Sequence, residues 1–137
     1  MTPVPPQHLQ AHWPFVERGL KVIIRKTGEK WTPSHVLQAL HESCAGLFVC
    51  EDGFAVLQRS KEDWTSEPYV HVWALWMRPG KAKEKRQELV AWLDRETEKA
   101  GCRYWKFGSP RQGWSLLEDS ECEIEKIIWR RKQNGKL

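Results

Sequence analysis

The residue types best suited to chemistry lie between positions 71 and 86. Arg78-Pro79-Gly80-Lys81-Ala82-Lys83 joins an apolar run to an amphipathic one, with Lys85 and Arg86 just beyond. Glycine in such a turn lets backbone amides approach an anion, and amides at a helix N-terminus carry partial positive charge. The five cations can pair with phosphate groups, those of DNA included. The competing reading is a solvated helix start with ordinary surface charges. Against it, cations at a helix N-terminus oppose the dipole, a local cost that an anionic ligand removes. His71, on the apolar run, is the best general base by type because imidazole titrates near neutrality, although a lone strand histidine is also a common structural residue. Glu51 and Glu67 fall in a turn and a loop and are weaker bases. No Ser/His/Asp or Cys/His spacing indicates a nucleophile. Cys44, Cys50, Cys102 and Cys122 form no CxxC pair, so the expectation is reduced, mostly buried thiols and no metal site.

The elements that must position these groups form a βαβ unit. Tyr69–Met77 reads as a strand, positions 82–100 as an amphipathic helix with Leu89, Val90, Leu93 and Ala100 inward, and Cys102–Phe107 as a second strand after Gly101 at the C′ position. Two parallel strands and a right-handed crossover follow. Alternation along the first strand puts Trp73 with His71 and Leu75, and Trp76 with Val72 and Ala74. A face left without a helix would be an exposed aromatic surface, for which a partner is the natural explanation.

Ahead of this unit, Pro3, Pro5 and Pro6 suggest an extended lead-in over residues 1–6. Trp13-Pro14 breaks any helix begun at Gln7, so the first helix is expected from Pro14 to Lys26, with Val16, Leu20, Ile23 and Ile24 inward and Gly28 as its stop. Thr32-Pro33 opens a second helix through about Glu42, with Val36, Leu37 and Leu40 inward. Leu47–Cys50 and Phe54–Gln58 form a hairpin through Glu51-Asp52-Gly53, and residues 61–68 form a loop. Beyond the unit, Gln112–Glu118 suits a short helix and Glu121–Arg131 a last strand, with Cys122, Ile124 and Ile128 inward and a frayed tail over 133–137. The order is α-α-β-β-β-α-β-α-β, an α+β fold with a mixed sheet in one domain over residues 1–137.

At 137 residues there is room for one core, and 40% apolar against 29% charged residues is a globular balance. No run approaches the roughly 20 apolar residues of a membrane span, and no membrane partner is expected. Met-Thr-Pro-Val-Pro-Pro lacks the basic and apolar parts of a secretion signal, which places the protein in the cytoplasm where it is made. A net charge of +4 is weak support for a nucleic-acid partner. Nine tryptophans fit either a dense core or a binding surface.

Over almost the whole chain this order resembles the GNAT (N-acetyltransferase-like) fold. Gly101-Cys-Arg-Tyr-Trp-Lys-Phe107, Arg111-Gln-Gly113-Trp114-Ser-Leu-Leu117 and a strand ending Trp129-Arg130-Arg131-Lys132 look like the small GNAT-like proteins of bacteriophage structural gene clusters. The resemblance implies two readings. In the first the protein is a virion structural or assembly component in the host cytoplasm or the virion, without transfer chemistry or cofactor. Its partners are then other virion or assembly proteins, met through Trp76, Trp105 and Trp114, or nucleic acid met through the basic turn and Arg130-Arg131-Lys132. In the second it is an acetyl-CoA-dependent N-acetyltransferase. Enzymes of that family hold the acetyl-CoA pyrophosphate on a Gln/Arg-x-x-Gly-x-Gly/Ala turn, which maps here onto Arg78, Gly80, Lys81, Ala82 and Lys83, with His71 as base. Gly80 and Ala82 keep the spacing, but Pro79 lacks an N–H and neither Gln nor Arg stands three residues before Gly80. The family's tyrosine acid, on the short helix after the crossover, is replaced by Trp114. These departures and the tryptophan excess favour the virion reading.

Overall fold

The computed structural model describes residues 1–108. The short helix at 112–118, the strand at 121–131, the tail, Trp114, Cys122 and the Arg130-Arg131-Lys132 cluster lie outside the described residues. Within them the chain runs β1 (Thr2–Val4), a single 3-10 turn (Pro6–His8), α1 (Leu9–Thr27), α2 (Pro33–His41), β2 (Gly46–Cys50), β3 (Gly53–Lys61), β4 (Pro68–Met77), α3 (Lys81–Glu84), α4 (Arg86–Lys99) and β5 (Trp105–Phe107). The sheet is mixed, in spatial order β1-β2-β3-β4-β5, antiparallel except for the parallel β4–β5 pair.

One expectation about the N-terminal region is sharpened and another corrected. The lead-in is a strand, pairing Thr2 with Val49, Pro3 with Phe48 and Val4 with Leu47 at the sheet edge, where a residue without an N–H is tolerated. The first helix begins at Leu9, five residues before the expected start, and passes through Pro14. Proline gives up one bond to the carbonyl four residues back, but Pro14 lies on the exposed side. Leu9, buried to 2% exposure, draws the extra turn and a half into the fold. Gly28 ends α1 in the left-handed region at φ 68°, its N–H on the Ile24 carbonyl. Thr32 caps α2 with a reciprocal pair: its side chain accepts from the His35 N–H, and His35 Nδ1 accepts from the Thr32 N–H at 2.9 Å.

The two sheet faces carry separate cores. Under α1 and α2 lie Leu9, Val16, Leu20, Val36, Leu40, Leu47, Phe54, Val56 and Ala74, with Leu37 and Ile23 partly buried against them. Under α4 lie Ala55, Leu57, Val70, Val72, Leu75, Met77, Leu89, Trp92, Leu93 and Cys102. The expected alternation of β4 holds on either side of Trp73 but not across it. Val56 pairs with Ala74 while Leu57 pairs with Val72, so Trp73 is an extra residue, a β-bulge. The bulge shifts the parity: Val72 and Leu75 share the α4 face, and Trp73 joins Ala74 and Trp76 under α1 and α2. Gly53 does not supply the hairpin turn, which is Glu51-Asp52. A Cβ at Gly53 would collide with the Trp76 carbonyl and with Met77, so glycine is required there for close approach to β4.

The expected helix over 82–100 is divided. α3 makes one turn, Lys85 leaves helical geometry at φ −100° and ψ 14°, and α4 starts at Arg86. Lys85, expected to be solvated, reaches the Asp52 carboxylate at 2.7 Å where the helix breaks. Gly101 (φ 72°) closes the end as expected. The thiols also differ from expectation: Cys102 is buried, Cys50 half-buried and Cys44 exposed, all three free.

Candidate functional site

β4 is held along its length by β3, but on its other edge β5 covers only Val70, His71 and Val72, opposite Trp105, Lys106 and Phe107. From Trp73 to Met77 that edge has no strand partner among the described residues. Peptide groups there form a slot about 17 Å long at ~3.3 Å per residue, starting at the bulge and ending at the basic turn.

The turn is built by local rules. Lys81 N–H donates to the Arg78 carbonyl at 3.0 Å, and Gly80, at φ 81° and ψ −18°, has the conformation of the third residue of a type II turn, with Pro79 in its favoured second place. The Arg78 N–H is anchored on the Asp52 carbonyl at 2.7 Å. Pro79 offers no donor and the Lys81 N–H closes the turn. The Gly80, Ala82 and Lys83 amides make no backbone hydrogen bond among the described residues. The cations are largely diverted to other work. The Arg78 guanidinium lies 5.2 Å over the Phe15 ring and its Nε donates to the Glu51 carbonyl at 3.4 Å. Lys81 meets Glu84 at 3.4 Å and Lys85 meets Asp52. The Lys85 ammonium beside it holds the Asp52 carboxyl below its ordinary 3.8. Lys83 is exposed.

His71 sits at the foot of the slot, on the α1/α2 face. Its Nδ1 is 2.9 Å from Gln58 Oε1; that oxygen can only accept, so Nδ1 carries the proton and Nε2 is left as the basic nitrogen. Burial pushes the imidazole below its ordinary 6.5, so it is neutral at physiological pH. Both tyrosines of the chain are engaged below the slot. Tyr104 donates to Glu62 Oε1 at 2.7 Å, which drives its pKa up to about 12. It stacks on Tyr69 at 6.0 Å, and Lys106 caps the Tyr69 ring at 4.7 Å while bonding Glu62 at 2.6 Å. Glu51 is exposed in the hairpin turn, and Glu67 pairs with Arg103 at 3.3 Å.

The sequence groups Arg78, Gly80, Lys81, Ala82 and Lys83 by adjacency, and the structure sets His71 at the other end of the slot from them. Trp76 packs on Phe54 and Phe15 under α1, with centroids 6.0 and 5.6 Å away. Trp105 donates its Nε1–H to Asp94 at 2.9 Å. The fully displayed indole is Trp64, 96% exposed in the loop after β3. Gln58 and Asp52 were missed by sequence reasoning. A signal existed for Gln58, a polar residue following the apolar run Phe54–Leu57; Asp52 was hidden as a hairpin residue. Among the described residues no three His, Cys, Asp or Glu side chains could share a metal ion, and no helix is long and apolar enough to cross a membrane.

No protein-family model and no curated protein matches the chain. Solved structures do. A GCN5-related N-acetyltransferase from Ralstonia eutropha JMP134 matches at TM-score 0.71 and 12% identity, covering 95% of each chain. A ribosomal-protein-alanine N-acetyltransferase from Brucella melitensis biovar Abortus 2308 matches at TM-score 0.65 and 13% identity, covering 96% of each. A predicted acetyltransferase with acetyl-CoA from Clostridium acetobutylicum matches at TM-score 0.66 and 7% identity, covering 94% of this chain and 93% of the other. At these identities the likeness shows the fold, and the fold is that of the GNAT N-acetyltransferases.

Proposed function

We propose that this GNAT-fold chain binds an acyl-CoA, acetyl-CoA in the simplest case, and transfers its acyl group to an amine. The observation that carries this reading is the β4 edge from Trp73 to Met77, which no strand among the described residues covers, running from a neutral, oriented histidine to a turn whose Gly80, Ala82 and Lys83 amides make no backbone hydrogen bond among those residues. Acetyl-CoA supplies an activated acyl thioester. The Gly80, Ala82 and Lys83 amides and the Lys83 ammonium suit its pyrophosphate, although Pro79 withholds one donor that such a turn normally offers. The β4 edge orients an extended arm by strand-like hydrogen bonding, and an N–H near the bulge polarises the reacting carbonyl. His71 Nε2 takes the proton from the attacking amine, with Gln58 holding the tautomer; as the C–N bond forms the thioester C–S bond breaks, and the CoA thiolate leaves and takes its proton from solvent, to which His71 returns the one it took. Among solved neighbours, the acetyl-CoA complex of the Clostridium protein supports the choice of cofactor.

A second reading, a virion or assembly component with no cofactor, has one observation on its side: Arg78, Lys81 and Lys85 are already spent on Phe15, Glu84 and Asp52. Thermal unfolding with acetyl-CoA separates the two. At about 100 times its dissociation constant the ligand adds about 2.7 kcal/mol, a shift of several degrees. An unchanged melting temperature at millimolar acetyl-CoA, together with a specific complex with a virion protein, would establish the second reading.

A further inference from the structure

Alternation along β4 sets Tyr69, His71 and Trp73 in one row on the α1/α2 face, with neighbours about 7 Å apart. All three are half-buried, so the row keeps part of its surface in solvent. We propose, resting on the transfer reading above, that the amine accepted beside His71 carries an aromatic ring, which seats in the corner formed by the Trp31 and Trp73 indoles.

The two ends of the row differ. At the lower end Tyr69 stacks on Tyr104 and is capped by Lys106. At the upper end Trp31 meets Trp73 edge to face, with centroids 5.9 Å apart and planes at 79°, and both indoles are half-buried. Two rings at right angles make a corner in which a third ring lies flat on one and meets the edge of the other. A saturated body of the same size gains only the area it buries there. The corner is braced: Trp31 lies in the link between α1 and α2, where Gly28 ends one helix and Thr32 caps the next. A short alkyl arm spans the interval from this corner to the imidazole. The charges of the face set the rest of the acceptor. Lys106 is the register partner of His71, and Glu62 already bonds Lys106 at 2.6 Å and Tyr104 at 2.7 Å. A second ammonium on the acceptor would meet the Lys106 cation with Glu62 committed elsewhere, so the class is a monoamine with an aromatic body.

Phenethylamine is the probe, and cyclohexylethylamine, of equal arm and similar size, is its saturated control. Indole signals in nitrogen–proton correlation spectra are followed in the whole protein alone and again with CoA, which has no acyl group to give. The signal that disappears in Trp31→Phe should move saturably with phenethylamine, and the saturated control should bind about fivefold more weakly. Trp31→Leu should abolish that preference and Trp31→Phe should keep most of it; the comparison of the two amines on the unmodified protein needs no variant to fold. The proposal is overturned if phenethylamine leaves the Trp31 signal unmoved in both conditions, if the saturated amine binds as tightly, or if Trp31→Leu retains the preference. A melting shift with acetyl-CoA beside an unmoved indole signal overturns this acceptor class alone, whereas an unchanged melting temperature overturns the transfer reading whatever the indoles do.

Discussion

His71 shows how much of a site one residue can reveal. Its type and its strand position are legible in the sequence, and they nominate a base. What makes it a neutral and oriented base, Gln58 on the neighbouring strand, is a cross-strand contact between residues 13 apart, which no local pattern specifies. A pH dependence follows. Burial lowers the folded-state pKa below 6.5, so the unfolded chain binds the proton more readily. The contribution to stability is complete above the unfolded value and is lost as pH falls through the folded one. Denaturant unfolding between about pH 7 and pH 5 should therefore show a shallower decline for His71→Gln than for the unmodified protein. Coincident slopes would mean that the imidazole is not buried neutral.

At the scale of elements, the features readable in advance were those fixed by neighbouring residues. Thr32-Pro33 opens α2, while Gly28 and Gly101 adopt positive φ at helix ends, because capping and left-handed geometry are short-range effects. The features missed depend on distant partners. β1 exists because β2 offers it an edge, the bulge at Trp73 exists because β3 and β4 fall out of step there, and α1 tolerates Pro14 because Leu9 is buried. The same local rule that misplaced the start of α1 provides a test of its structure. Pro14 is exposed and inside the helix, so Pro14→Ala restores a backbone bond without loss of packing. It should raise stability by about 1–3 kcal/mol in denaturant titration. A helix that truly began at Pro14 would lose stability from this change, since proline suits a first turn.

For the whole molecule, the tryptophan excess resolves mainly into packing. Trp13, Trp31, Trp73 and Trp76 lie against the core under α1 and α2, Trp92 and Trp105 belong to the other core, and Trp64 alone among the described indoles stands in solvent. The fold was legible because the βαβ unit constrains topology so strongly. The site was less so, since a type II turn and a phosphate-binding turn ask for the same glycine. Asp52 binds distant parts of this architecture: its carbonyl holds the Arg78 N–H and its carboxylate holds Lys85. Those contacts span 26 and 33 positions of sequence, and they join a hairpin to a crossover. A latch of this kind that closes after the folding barrier must open before the native state is left, and this gives a kinetic prediction. Asp52→Asn should then steepen the escape and spare the approach, raising the unfolding limb of a chevron plot while the refolding limb stays where it was. On this prediction Asp52 sets the lifetime of the folded protein, and with it how long the slot beside β4 stays in place.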